Sequence, residues 1–421
     1  MFRQWLIPAT AIGALISVGW VSVDWVTASE PDSEGVPTGP DVIVGELPDV
    51  RYWGVQGDMV AYSVATTSCN IGDTPLEWYA NDTRHPVIGQ NMYRYSQGRF
   101  SHIGQSWLKH GFFALAQDAC GLGCQNPGTG TLLGVGCSDP YSATLNGIQS
   151  GLGPRFEVNA STGAFNYPYE GQGQGGNVLY KRLQVPVDRL TEDSEARFFV
   201  EGHYIAPDDS AAENDANNAS YREVTVRPDL RVEMTGETQQ TDPALRAWET
   251  IDSRVRTQEI DIPGDGRFLL AFRVTQEEDL WRYEYAVQNL SSHRSAAGFR
   301  VPIGDGAQII GAGFHRPAYH SGEPYEPGDW QARQFEDSVL WCASAVFADS
   351  FESGDLSAWQ QDSSSCFGGG SGVETTNALR WGNLYNFWFY SDRAPIRVAS
   401  TLELLRPGDP ATVEVLVQAP R

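Results

Sequence analysis

The sequence predicts an all-β chain of two β-sandwich-like domains with long loops and few, short helices, and three observations predict it. Short apolar runs recur between clusters of Gly, Pro, Asn and Asp, the punctuation that separates strands from turns. Gly (44) and Pro (24) are frequent in a chain of 421 residues, enough to divide it into many short elements. Some runs also alternate with the period of a strand. Trp281, Tyr283, Tyr285 and Val287 alternate with Arg282, Glu284 and Ala286, as a strand with one buried face requires.

Taken in order, residues 1–28 read as a secretory signal. Arg3 supplies the positive start, Leu6 to Val23 is apolar, and Val26-Thr27-Ala28 fits the small-residue cleavage rule. The alternative is a retained N-terminal anchor, because Leu6 to Val26 is almost long enough to span a bilayer if Asp24 is tolerated. Residues 29–42 are polar and Pro-rich, a flexible lead-in. An N-terminal β-rich domain over 43–229 follows, with Val60 to Val64 and Phe198 to Val200 as strands and the Gly-rich run Glu170 to Gly176 as a flexible connection. The C-terminal sandwich, 230–421, holds the clearest strands, Phe268 to Val274 and 281–287, and closes on the alternating run Thr412 to Val417. Its best helix is Asp242 to Trp248, with Asp242 as N-cap and Pro243 in the first turn. A Ser/Gly-rich insertion occupies 343–376.

With 29 Lys+Arg against 53 Asp+Glu the net charge is −24, which repels phosphate backbones and argues against a nucleic-acid partner. An apolar content of 41% suffices for real cores and argues against disorder. Only Lys109 and Lys181 are lysines, so 27 of the 29 basic residues are Arg. That balance suits solubility in salt, and equally a GC-rich genome. Six cysteines in an exported chain point to disulfides. Cys342 and Cys366 bracket the insertion and are expected to pair, whereas Cys69, Cys120, Cys124 and Cys137 allow three pairings. Zinc held by the C-x3-C pair with a further Cys and nearby histidines is the rival reading.

Three groups of residues are candidates for chemistry. His85, His102, His110 and His203 share the first domain and would ligate copper or zinc if they converged, although their spacing follows no H-x-H or H-E-x-x-H grammar. Asp208, Asp209, Asp215, Asn217 and Asn218 concentrate hard oxygens between two strands, as a calcium loop does, without the order of an EF-hand. The same residues suit an ordinary turn. His315, His320, Glu323 and Tyr325 lie on a Pro-rich loop that could hold a metal or a sugar, or simply cover the end of a sandwich. No G-x-S-x-G nucleophile is present.

Particular words in the sequence resemble a family of secreted bacterial proteins that has no assigned activity. They include His85-Pro-Val-Ile-Gly-Gln-Asn-Met-Tyr-Arg94, Ser106-Trp-Leu-Lys-His-Gly-Phe112, Gly136-Cys-Ser-Asp-Pro-Tyr141 and Phe199-Val-Glu-Gly-His-Tyr204. Asn217 to Arg222, Tyr319 to Tyr325 and Ala378 to Phe387 belong to the same set. The resemblance runs from about residue 40 to the end and implies export and β structure, with no catalytic residue carried over. Phe351 to Trp359 looks like a short element found near the C-termini of exported bacterial proteins. Residues 85–229 are also similar to bacterial lysyl-oxidase-like domains. Those bind copper through closely alternating histidines. Here His85 is followed by Pro-Val-Ile-Gly-Gln, so the likeness implies a β-sandwich scaffold alone.

The function expected is therefore that of a protein secreted or held at the cell surface, with the periplasm also open to it. It is expected to be non-catalytic, to bind a glycan, a surface or a protein partner, and to use calcium structurally. After removal of the signal no stable membrane span is expected. The rival is a secreted copper- or zinc-dependent enzyme, an oxidase for example, built on the first-domain histidines.

Overall fold

The computed structural model describes residues 37–343, Cys366 and 375–421. The signal-like segment, residues 29–36 of the lead-in, nearly all of the insertion and the Phe351 to Trp359 element lie outside the described residues. What is described is mostly antiparallel β-sheet with short helices, and none of those helices is long and apolar enough to cross a membrane.

The first half is built on a ten-stranded sheet whose centre pairs Val87–Ser96 with Arg197–Ile205 and Arg99–Gln105. A three-stranded sheet of Val42–Glu46, Thr66–Asn70 and Ser138–Tyr141 lies in the same half. Strand Val232–Gln239 forms the outer edge of the large sheet, so that sheet continues to residue 239. In the second half, two five-stranded antiparallel sheets enclose one core. Phe268, Leu270, Phe272, Tyr283, Tyr285, Phe387 and Phe389 enter it from one sheet, and Phe299, Val301, Trp341, Leu402 and Val417 from the other. Each set advances by two residues, which is why these segments form strands whose aromatic face points one way.

The opposite faces are covered too. Tyr93, Phe100, Phe199 and Tyr221 of the large sheet share a core with Leu269, Ala271, Ala286 and Leu384 of the second half. Trp248 joins them from helix Arg246–Ile251. This changes the reading of strand Leu280–Asn289. Its polar side was expected in solvent, yet Glu284 is buried and receives two hydrogen bonds from Arg99 of the first half, at 2.8 and 2.7 Å. The helix also begins later than expected. Leu245 occupies the cap without a side-chain bond, and the Ala244 N–H instead donates to Glu201.

A polar seam runs through this junction. Glu201 accepts from Asn91 Nδ2 (2.8 Å), the Tyr93 hydroxyl (2.9 Å), the Ala244 N–H (2.7 Å) and Gln288 Nε2 (3.3 Å). Arg155, also buried, donates to the carbonyls of Ser106, Gln90 and Gly382 and to Asn91 Oδ1. Strand pairing alone cannot satisfy these groups, because Asn91, Tyr93, Glu201 and Gln288 use side chains that project from strands of both halves.

The cysteines form Cys69–Cys120, Cys124–Cys137 and the expected Cys342–Cys366. Both lysines are buried, so Arg carries the positive charge of the surface. Lys181 donates to the carbonyls of Gln149 (3.0 Å), Gly171 (2.5 Å) and Gln174 (3.3 Å), holding down the Gly-rich run that composition alone read as flexible.

Replacing Arg155 by Met keeps much of its volume but strands its acceptors. The expected loss of unfolding free energy is about 3–5 kcal/mol in a denaturant titration. A loss below about 1 kcal/mol would show that the seam contributes little.

Candidate functional site

The four first-domain histidines do not converge as a set. His85 and His110 meet, with Nε2 of the first 2.9 Å from Nδ1 of the second. His85 Nδ1 lies 2.8 Å from the Tyr79 carbonyl and must donate to it, so its Nε2 accepts and His110 Nδ1 donates. His110 stacks on Tyr169 with ring centres 3.6 Å apart, and Phe165 packs against both imidazoles. His102 lies elsewhere, stacked on Tyr93, donating from Nε2 to the Gly104 carbonyl and accepting the Leu384 N–H at Nδ1. His203 is buried edge-on to Trp381, and its Nε2 has no hydrogen-bond partner among the described residues. Burial pushes the pKa of all four downward. Among the described residues no three His, Cys, Asp or Glu side chains gather in a metal-binding group.

Of the two histidines expected on the Pro-rich loop, His315 instead ends strand Ile309–His315 and only His320 lies on the loop. His315 Nε2 donates to the His102 carbonyl at 3.0 Å. Both ring nitrogens of His320 face carbonyls, Ser321 and Arg182, each at 2.8 Å. Burial nevertheless pushes its pKa down to about 4, so near neutral pH one of those carbonyls goes without its proton. Glu323 and Tyr325 do share a crevice with Tyr319, Arg155, Arg380 and Trp381. The Arg155 N–H donates to Glu323 Oε1 (2.9 Å), while burial raises the Glu323 carboxyl to about 7. The crevice measures about 10 Å³, room for a single water. A wider recess of about 570 Å³ lies between edge segments near Gln258 and Leu416 and is lined by none of the candidate metal- or ligand-binding residues.

The acidic turn is more consequential. Asp209 is fully buried, accepting the Val42 N–H at Oδ1 (3.0 Å) and Asn218 Nδ2 at Oδ2 (2.7 Å). Asn217 Nδ2 donates to Asp41 (3.2 Å), a buried residue that sequence reasoning left in the lead-in. Burial raises the pKa of both Asp41 and Asp209. Asp208 is engaged differently, accepting the Glu77 N–H at 2.6 Å, and burial raises the Asp215 carboxyl to about 6.

The structure also displays a surface that no sequence motif marks. Of the nine large apolar side chains exposed among the described residues, four belong to one loop: Phe112, Phe113, Leu115 and Leu122. The backbone of this loop is anchored along its length. The N–H groups of Phe112, Leu115 and Ala119 donate to the Tyr141 hydroxyl, Asp139 and the Ser138 hydroxyl. Gln117 and Ser138 exchange backbone bonds, and the two disulfides of this half hold Cys120 and Cys124. Gly130 lies directly under the Phe113 ring, where any Cβ would collide. The paired phenylalanines in a Cys-framed loop were the available signal. Composition misses it, because most phenylalanines are core.

Compared with known proteins, the chain matches no family model and no curated protein.

His203 gives a test of the buried imidazoles. Burial and the neighbouring Arg155 hold its pKa at about 3, below the ordinary 6.5. A folded value below the unfolded one stabilises fully above about pH 6.5 and less as pH falls, by about 1.4 kcal/mol per unit. Between pH 7 and 4 the unmodified protein is expected to lose about 3 kcal/mol more stability than His203→Leu. Equal losses in parallel denaturant titrations would place His203 in a wetter setting.

Proposed function

We propose that this chain is a non-catalytic binding protein of the extracellular space, and that it holds a glycan, a cell surface or a protein partner against loop 111–123. The observation that carries this reading is a rigid loop with exposed aromatics. Four large apolar side chains are displayed in water on a backbone fixed by hydrogen bonds and two disulfides. Displaying such groups is unfavourable for the isolated protein, and fixing them beforehand reduces the ordering entropy of a later encounter. Phenyl faces stack on sugar rings and pack against apolar partners. Export is supported by the signal-like start and by three disulfides, which persist in oxidising compartments. The rival copper or zinc enzyme draws support from the contact between His85 and His110. It is weakened by where the other imidazoles go, since His102 spends both ring nitrogens on backbone groups and His203 lies against Trp381.

The test is adsorption of the purified protein to insoluble peptidoglycan, chitin and cellulose and to intact bacterial cells. The expected result is retention on at least one of them and its loss, tenfold or more, in Phe112→Ser/Phe113→Ser, with unfolding temperature unchanged. Retention unaffected by the double substitution removes the loop from the reading. Multiple-turnover chemistry dependent on His85 and His110 would favour the rival.

A further inference from the structure

The acidic turn contains more unsatisfied oxygen than a folded protein ordinarily tolerates. Asp41 is 1% exposed, and Asp209 and Asn218 are 0% exposed. Yet Asp41 Oδ1, Asn217 Oδ1 and Asn218 Oδ1 are buried with no hydrogen-bond partner among the described residues. Each of the two amides already lends its nitrogen to a carboxylate, Asn217 to Asp41 and Asn218 to Asp209. Its oxygen, one bond angle away, therefore sits beside that same carboxylate. No basic side chain among the described residues pairs with either acid. A buried carboxylate without a countercharge is among the most costly groups a fold can contain, and two neighbouring ones compound the cost.

We infer that Asp41, Asp209, Asn217 and Asn218 form a calcium site that clasps the segment 38–42 to the turn at 209–218. Calcium accepts six to eight oxygens in flexible geometry from carboxylates, amide oxygens and water, which is the donor set present. The absence of a sulfur or imidazole donor argues against zinc or copper at this place. The two segments are already in register for it. Asn214 Nδ2 donates to the carbonyls of Thr38 (3.1 Å) and Pro40 (2.9 Å), and Gly39 approaches Ala212 so closely that a Cβ would lie 2.7 Å from that side chain. The Asp209 bond to the Val42 N–H ties the turn to the first strand across 167 positions. Bringing such distant segments together carries an entropic cost, and a cation shared by both segments offsets it. The site goes beyond the binding role proposed above and stands independently of what loop 111–123 contacts.

The experiment uses the full exported chain, stripped with chelator, and follows calcium and magnesium titrations by calorimetry beside thermal unfolding. One calcium per chain is expected to bind with a dissociation constant of about 1 mM or tighter, the class of extracellular sites. The unfolding temperature should rise by at least about 2 °C at saturation. Asp41→Asn and Asp209→Asn should each weaken calcium at least tenfold. In chelator, Asp41→Asn should unfold at or above the temperature of the unmodified protein, because an uncompensated charge has gone while its bond from Asn217 can persist. A merely structural carboxylate at this position would give the opposite, a less stable variant in chelator. No heat and no shift with calcium, an equal response to magnesium, or an undiminished response in both variants would overturn the site.

Discussion

The rest of the structure depends on one constraint, the need to satisfy Arg155 and Glu201 where the two halves meet. Both are withdrawn from water, and each is balanced by several hydrogen bonds rather than by a single partner. Such a network tolerates little displacement, since shifting one strand by a residue would orphan groups on both sides. It therefore fixes how Val87–Ser96 and Arg197–Ile205 of the first sheet sit against Gln288 and Gly382 of the second half. Apolar contact between Phe100, Phe199, Leu269 and Leu384 supplies attraction, but it is not directional. The polar seam supplies the register.

With that seam closed, most of the histidines become internal fittings. His102, His203 and His320 are buried, and the first and last meet backbone groups that only a particular packing brings near. The two places proposed above for binding lie in the first half and use none of these histidines. One is the loop that carries Phe112 and Phe113, where disulfides do what a small sheet cannot and hold irregular backbone still. The other is the acidic turn, which gathers residues 38–42. Both use segments distant in sequence, Cys69 with Cys120 and Asp41 with Asn217, so neither is contained in a single run of residues.

Much of the fold was legible because period-two patterns survive packing. Tyr283, Tyr285 and Val287 read as one face of a strand and are one. The other face was misread for a physical reason. Arg282 and Glu284 look like solvent-facing residues, but a charge can be buried when Arg99 lies opposite, and nothing local to 280–289 announces an arginine 185 positions away. Of the acidic turn, Asp209, Asn217 and Asn218 were visible as a cluster, whereas Asp41 looked like part of a tail. Its role rests on the fold that returns residue 217 to it.

The sequence by itself determined the class of this protein. Turn residues, alternating strands, a charge of −24 and an even set of cysteines require a β-rich, acidic, disulfide-bonded chain, because each acts through local geometry or summed charge. Only the tertiary structure decided how Cys69, Cys120, Cys124 and Cys137 pair, which histidines touch, which phenylalanines remain in water and which oxygens are left facing one another. Those are properties of distance between remote residues. They are set when the sheets stack and the buried polar groups find partners, and a linear pattern carries no record of them.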